Sequence, residues 1–211
     1  MSSIVSPSIL SADFLNLGKD IEKFNQFDDI WMHLDVMDSH FVPNLTFGKP
    51  VVKNIKDISN HKLDAHLMVN NPEFFIENFK DIGLHNFTFH YEADVDHIAL
   101  AKKAKKYYPS VGLSINPPTN IEDVPKLLFK EFDLILLMSV NPGFSGQKFI
   151  PSVYDKITYV KDLGLDHEIQ VDGGVDGTNA SRLRELGATN LVSGSYLFKS
   201  ANLEEAIKSL R

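Results

Sequence analysis

In an extended strand, side chains two apart share a face, and three segments of this chain use that spacing to set histidine, aspartate or glutamine on one side. They are Trp31-Met32-His33-Leu34-Asp35-Val36-Met37, Leu63-Asp64-Ala65-His66-Leu67 and Glu168-Ile169-Gln170-Val171-Asp172. The intervening residues are apolar and need a hydrophobic layer. His33 and Asp35 therefore face the other way, as do Asp64 and His66, and Glu168, Gln170 and Asp172. Polar groups on an inner face are costly unless they are paired or coordinate something. His33, Asp35, His66 and Asp172 offer two imidazoles and two carboxylates, a donor set suited to zinc, iron(II), manganese(II) or cobalt(II). Two other readings of these residues stand beside a metal site: a hydrogen-bonded structural network, and catalytic carboxylates working without a metal.

A second chemistry lies later in the chain. Asn141-Pro142-Gly143-Phe144-Ser145-Gly146-Gln147 follows one apolar run, Gly173-Gly174 the next, and Gly194-Ser195 the last. Glycine lets backbone N–H groups come close to an anion. One such pair reads as an ordinary turn; three at successive strand ends point to a phosphate. Neutral amides also explain how a chain with 21 Lys+Arg against 28 Asp+Glu, net charge −7, could hold an anionic ligand.

Elements that could position these residues alternate along the whole chain. Strands are expected over 4–9, 30–36, 62–67, 86–90, 111–115, 134–139, 168–171 and 190–192. Helices are expected over 14–27, 49–58, 72–81, 95–107, 121–129, 151–163, 177–186 and 203–210. Asn71-Pro72-Glu73 carries a cap, a first-turn proline and an early acid, and Ile150-Pro151 begins similarly. Gly83, Gly164 and Gly187 each close a helix before the next strand. Eight strand–helix units of about 26 residues leave room for little but short loops. That order implies a parallel sheet covered by helices, either open and doubly wound or closed as an eight-stranded barrel. The count, and chemistry at the ends of many strands, favour a single-domain (β/α)8 barrel over residues 1–211. In such a barrel the strand C-terminal ends surround the active site. His33, His66 and His90 lie there, with His40 in the loop beyond, whereas His61, His85, His167 and His97 read as surface or capping residues.

Composition narrows the function classes. Hydrophobic residues are 43% and charged residues 23%, the balance of a globular protein. There is no cysteine, which removes disulfides, thiolate zinc sites and cysteine nucleophiles. Lys102, Lys103, Lys105 and Lys106 form the densest basic cluster and read as a solvated helix face, so no nucleic-acid partner is expected. The start of the chain lacks a basic segment followed by an apolar core, and no window is apolar enough to span a membrane. A soluble, cytoplasmic protein is the expectation.

At these residues the sequence resembles the ribulose-phosphate 3-epimerase family along essentially its whole length. Ser6-Pro7-Ser8-Ile9-Leu10-Ser11-Ala12-Asp13-Phe14, His33-Leu34-Asp35-Val36-Met37-Asp38, His40-Phe41-Val42-Pro43-Asn44, Asp64-Ala65-His66-Leu67-Met68, Met138-Ser139-Val140-Asn141-Pro142-Gly143-Phe144, Val171-Asp172-Gly173-Gly174-Val175 and Gly194-Ser195 match its motifs in order. The resemblance implies a metal-dependent isomerase interconverting D-ribulose 5-phosphate and D-xylulose 5-phosphate in the pentose phosphate pathway. It implies one divalent ion per subunit on His33, Asp35, His66 and Asp172, with Asp35 and Asp172 also the acid/base pair. Ser8 and His66 would contact substrate, and Met37, Met68 and Met138 would crowd the reacting centre. Gly143, Phe144, Ser145, Gly146, Gly173, Gly174, Gly194 and Ser195 would hold the sugar phosphate, chiefly its phosphate. Ser39 and Ser145 depart from the pattern, each standing where the family usually has glycine.

The implied chemistry suits the residues. Inverting C3 beside a ketone removes a proton from one face and returns one to the other, which two carboxylates on non-adjacent strands can do. A 3-epimerase of a phosphorylated hexulose such as D-allulose 6-phosphate is the nearest alternative, and a non-catalytic sugar-phosphate-binding barrel is the alternative outside enzymes. A Schiff-base aldolase lacks its inward lysine, since Lys62 sits at the wrong strand end, and Asp35-Val36-Met37-Asp38 lacks the lysine of a barrel decarboxylase. Oligomeric state is left open.

Overall fold

The computed structural model describes residues 4–211; residues 1–3, on which part of the leader reading rests, lie outside the described residues. The eight expected strands form as β1 (Ile4–Pro7), β2 (Trp31–Met37), β3 (Lys62–Met68), β4 (Asn86–His90), β5 (Ser110–Ile115), β6 (Leu134–Met138), β7 (Glu168–Asp172) and β8 (Asn190–Ser193). All are parallel, in the order β1-β8-β7-β6-β5-β4-β3-β2. Bridges Val5–Ile30 and Ser8–His33 join β1 to the β2 side and close the sheet into a (β/α)8 barrel.

Helices α1 (Leu17–Glu22), α2 (Lys49–Ile58), α3 (Pro72–Phe79), α4 (His97–Ala104), α5 (Lys126–Phe129), α6 (Val153–Asp162), α7 (Ala180–Leu186), α8 (Ser195–Phe198) and α9 (Leu203–Leu210) surround it. The outward strand residues Met32, Leu34, Val36, Leu63, Ala65, Leu67, Ile169 and Val171 are buried against this ring. Each large one contributes about 1.5–3 kcal/mol, an upper estimate relative to an exposed chain. Inside, Trp31, Leu134, Leu136, Met138 and Val140 make a smaller apolar cluster. Other interior groups are polar and paired, as in Ser6 Oγ to Asn190 Oδ1 at 2.7 Å and Ser110 Oγ to Asn86 Oδ1 at 2.7 Å.

Where elements differ from expectation, side chains and prolines compete with helix. The first helix is expected over 14–27 but occupies only α1. Asp13 draws Leu15 N and Asn16 Nδ2 into a local turn at 3.0 and 2.8 Å, delaying its start. The stretch 121–129 divides into a 3-10 turn, Ile121–Asp123, and the short α5, because Pro125 forces Val124 into an extended conformation (φ −75°, ψ 124°). α7 begins at Ala180, since Asp176 Oδ1 takes both the N–H and hydroxyl of Thr178. α8 is one turn long, too short to leave a period in the sequence. Asn71 caps α3 through Phe74 N at 3.3 Å. Gly83, Gly164 and Gly187 adopt the positive φ that their place after helices requires.

The basic cluster is neutralised in part. Lys103 lies 3.0 Å from both Glu73 and Glu77, and Lys105 is 3.0 Å from Asp133. His61, His97 and His167 bond backbone carbonyls at 2.8–2.9 Å, and His85 packs edge-on to Trp31, the structural roles expected of them. Among the described residues, no helix is long and apolar enough to cross a membrane.

Candidate active site

Strand alternation delivers the four metal-ligand candidates to one place. One donor atom from each of His33, Asp35, His66 and Asp172 lies within 4.8 Å of the others. His66 Nδ1 is 3.1 Å from Asp35 Oδ1, and His33 Nε2 is 3.4 Å from the same oxygen. Both nitrogens stand 3.8 Å from Asp172 Oδ2. β2 supplies two of the residues, β3 one and β7 one, so the cluster straddles the barrel axis.

The remaining hydrogen-bonding capacity is used to orient these groups. His33 turns Nδ1 to Asp64 Oδ2 at 2.7 Å. Asp64 in turn accepts from Gln170 Nε2 at 2.6 Å and Asn86 Nδ2 at 2.7 Å. Ser8 Oγ donates to Asp35 Oδ2 at 2.6 Å, and Thr46 Oγ1 binds the Asp35 carbonyl at 2.6 Å. Ser139 Oγ donates to the carbonyls of Asp172 and Gly173, at 2.9 and 2.6 Å, anchoring the end of β7.

Electrostatics separates the two carboxylates. Burial opposes ionisation of Asp35, but the imidazoles of His33 and His66 overcome it and hold its carboxyl far below the usual range. Burial, reinforced by the negative charge of Asp35, pushes Asp172 up to about 7. Burial also works against a charged His33, yet Asp64 and Asp35 raise it well above an ordinary histidine. His66 is lowered, chiefly by burial. A divalent ion would relieve this crowding of carboxylates, and imidazole with carboxylate is a fitting donor set for one. The cluster can hold a metal ion.

Above it opens a cavity of about 610 Å³. Ser8, Asp35 and Asp172 line its floor with Met37, Met68 and Met138, while Gly143, Phe144, Ser145, Gly146, Gly173, Gly174, Gly194 and Ser195 line its rim. His33 and His66 lie beneath, fully buried. The three glycine segments thus reach one mouth, where Lys148 is the single basic side chain among the described residues. Gly174 has φ +63°, and a Cβ there would come within 2.9 Å of Phe149 N. The backbone itself requires that glycine, not only an approaching ligand.

The loop after β2 bears the first sequence departure. Ser39 holds a left-handed φ of 63°, the conformation that glycine adopts without strain. Neighbouring bonds enforce it. Ser39 N donates to Asn44 O at 3.0 Å, and Asp38 gathers the N–H groups of His40, Phe41 and Asn70 at 2.7–2.9 Å. Asn44 Nδ2 then reaches the Gly143 carbonyl at 2.7 Å, tying this loop to the one after β6. Ser145, the second departure, lies exposed at the rim.

Several groups carry no signal that a search for paired motifs would find. Ser11 Oγ is buried without a hydrogen-bond partner beside Gly194, on the cavity wall. His90 and Glu92 lie behind His66, and only the position of His90 at a strand end hinted at it. Lys156 is buried on α6, a burial that helical periodicity alone does not reveal for a lysine.

The sequence model of the Ribulose-phosphate 3 epimerase family matches residues 4–198. A ribulose-phosphate 3-epimerase of Helicobacter pylori is 41% identical over 211 residues, covering 98% of this chain and 96% of that protein. One from Chlamydia pneumoniae is 41% identical over 218 residues, covering 100% and 95%. A cytoplasmic isoform from Oryza sativa subsp. japonica is 38% identical, covering 98% and 92%. Among solved structures, a tryptophan synthase α-subunit from Pyrococcus furiosus superposes with TM-score 0.72 at 16% identity, covering 99% of this chain and 97% of that one. A 3-hexulose-6-phosphate synthase from Salmonella typhimurium gives TM-score 0.71 at 15% identity, covering 98% and 96%. At such identity these last two speak to the barrel alone.

Proposed function

The chain belongs to the ribulose-phosphate 3-epimerase family, and from that premise we propose that Asp35 and Asp172 interconvert D-ribulose 5-phosphate and D-xylulose 5-phosphate by proton transfer at C3. The observation that carries this reading is their placement. They rise from non-adjacent strands into one cavity, with their acid strengths driven in opposite directions. In the metal-free cluster one carboxylate is ionised and the other keeps its proton up to about pH 7, so their surroundings distinguish the two members of an acid/base pair.

With the sugar between them, one carboxylate takes the C3 proton, made acidic by the adjacent C2 carbonyl. The electrons pass into an enediolate spanning C2 and C3. The other carboxylate delivers its proton to the opposite face, and the reverse reaction exchanges the two roles. Ser8 holds Asp35 through its 2.6 Å bond, so the reacting oxygen is fixed. Met37, Met68 and Met138 exclude water and carry no exchangeable proton, which confines proton traffic to the two carboxylates.

His33, Asp35, His66 and Asp172 would hold one divalent ion, of zinc, iron, manganese or cobalt, which supplies positive charge where the enediolate becomes negative. The rim amides of Gly143 to Gly146, Gly173, Gly174, Gly194 and Ser195 would bind the phosphate. A cytoplasmic setting accords with the rice relative, a cytoplasmic isoform, and with the absence of cysteine.

The test is an epimerisation assay on D-ribulose 5-phosphate with metal content measured on the same sample and D-allulose 6-phosphate run in parallel. Turnover of the pentulose that disappears with chelation and returns with a divalent metal is expected. Full activity in metal-free protein, or a preference for the hexulose, would overturn the respective part of the reading.

A further inference from the structure

His66 turns Nδ1 toward the four-residue cluster and Nε2 away from it, to 2.8 Å from Nε2 of His90. His90 Nδ1 then lies 3.2 Å from Glu92 Oε2. The other oxygen of Glu92 accepts from Asn116 N at 2.8 Å and from the Thr119 hydroxyl at 2.5 Å. Lys156 Nζ fastens the same loop, donating to the carbonyls of Asn116, Pro117 and Thr119 at 2.6, 2.9 and 2.7 Å. His66 and His90 are fully buried and Glu92 is mostly so, which leaves little water to substitute for a mismatched partner.

With a metal ion on His66, proton counting fixes the direction of this chain. A metal ligand at His66 Nδ1 must offer a lone pair, so its proton sits on Nε2. Two ring nitrogens 2.8 Å apart need one donor and one acceptor, so His90 Nε2 accepts. The proton of His90 is then on Nδ1 and points at Glu92, an acceptor-only carboxylate. His33 has the shorter version of this arrangement, with Nδ1 held directly by Asp64 at 2.7 Å. We infer that Glu92 and His90 are positioning residues that set the tautomer and ring orientation of His66 for metal ligation. The inference rests on the metal reading of the cluster.

Glu92→Gln is the sharp perturbation because it keeps size and reverses polarity. If the amide oxygen stays with Asn116 and Thr119, its NH₂ faces His90 Nδ1 and must donate. His90 then carries its proton on Nε2, and His66 is forced to carry its own on Nδ1, the ligating atom. The full chain, labelled with 15N-histidine and stripped of metal, is titrated with cobalt(II) against a competing chelator, and 15N–1H spectra recorded after addition of one equivalent of zinc read the His66 tautomer. The wild type should show the Nε2–H form. Glu92→Gln should shift His66 to Nδ1–H and raise the cobalt Kd about 10- to 100-fold, with the melting temperature of the metal-free protein little changed. A variant that keeps Nε2–H and binds cobalt within twofold of wild type overturns the inference. Should Glu92→Gln fail to fold, His90→Phe, which removes the acceptor for His66, must lose affinity comparably, and unchanged binding there overturns it equally. A wild-type protein that takes up no cobalt overturns the metal reading itself, an outcome distinct from the other two.

Discussion

Filling the cluster with a divalent ion should expel protons, and the structure says from which groups. Asp35 is held ionised by its two imidazoles and His66 is held neutral by burial, so neither has a proton to lose near neutrality. His33 and Asp172 differ. His33 stays protonated because Asp64 and Asp35 outweigh its burial, and Asp172 titrates at about 7 because of burial and the charge of Asp35. At pH 6, roughly nine-tenths of Asp172 carries a proton that ligation must displace, and His33, raised well above an ordinary histidine, adds to the release. At pH 8 Asp172 is mostly bare, and the release should be smaller. Apparent affinity should therefore fall from pH 7 to pH 6 by about fivefold from Asp172 alone, and further as His33 holds its proton. Titration calorimetry with zinc, in paired buffers of equal pH but different ionisation enthalpy, counts the protons directly. Proton release absent at pH 6, or affinity flat between pH 6 and 7, would refute the assignment of these charges.

The other predictions concern single side chains. Ser39→Gly should raise the melting temperature by about 1–4 °C, since relief of a left-handed φ of about 1–2 kcal/mol exceeds the added freedom of the unfolded chain. A lower melting temperature would show that the Ser39 side chain is itself stabilising. Gly194→Ala brings a Cβ within 2.5 Å of the Ser11 hydroxyl, which has no partner and can rotate away. The protein should fold, with KM for the sugar phosphate raised about tenfold by loss of one charge-assisted amide contact. Lys148→Gln should raise KM by less than about threefold, as an exposed ion pair would; the opposite ranking in steady-state assays would refute amide-based phosphate binding. Asp64→Asn sets an NH₂ among three donors, His33, Gln170 and Asn86. It should cost about 3 kcal/mol of stability in a denaturant melt and weaken metal binding at least tenfold.

Much of this is legible in the sequence. Period-two alternation in Met32–Val36 and Leu63–Leu67 assigned the faces of β2 and β3, because only one face of each can meet the helices. Barrel topology then brought residues distant in sequence to one mouth. What stayed hidden depends on partners that alternation does not encode. Nothing local marks Glu92, whose role arises from His90 on one side and the loop of Asn116 and Thr119 on the other. Lys156 reads as a surface residue until three carbonyls are found around its ammonium. Helix ends went astray where Asp13, Pro125 and Asp176 imposed turns stronger than the helical period. The motif pattern could mark Ser39 as unusual, but the positive φ that makes it so belongs to the folded loop.

The opposed-carboxylate account is tested most directly by following the C3 proton in deuterated solvent. Asp35→Asn and Asp172→Asn should each nearly abolish epimerisation, but both residues are proposed ligands, so rate alone does not separate lost chemistry from lost metal. Exchange must be measured in variants shown still to hold metal. With one carboxylate intact, each variant should exchange the C3 proton of the epimer facing that residue without inverting it. The two should show opposite epimer preferences: one washing deuterium into D-ribulose 5-phosphate, the other into D-xylulose 5-phosphate. Exchange into the same epimer by both variants, or wild-type epimerisation by either, would contradict it.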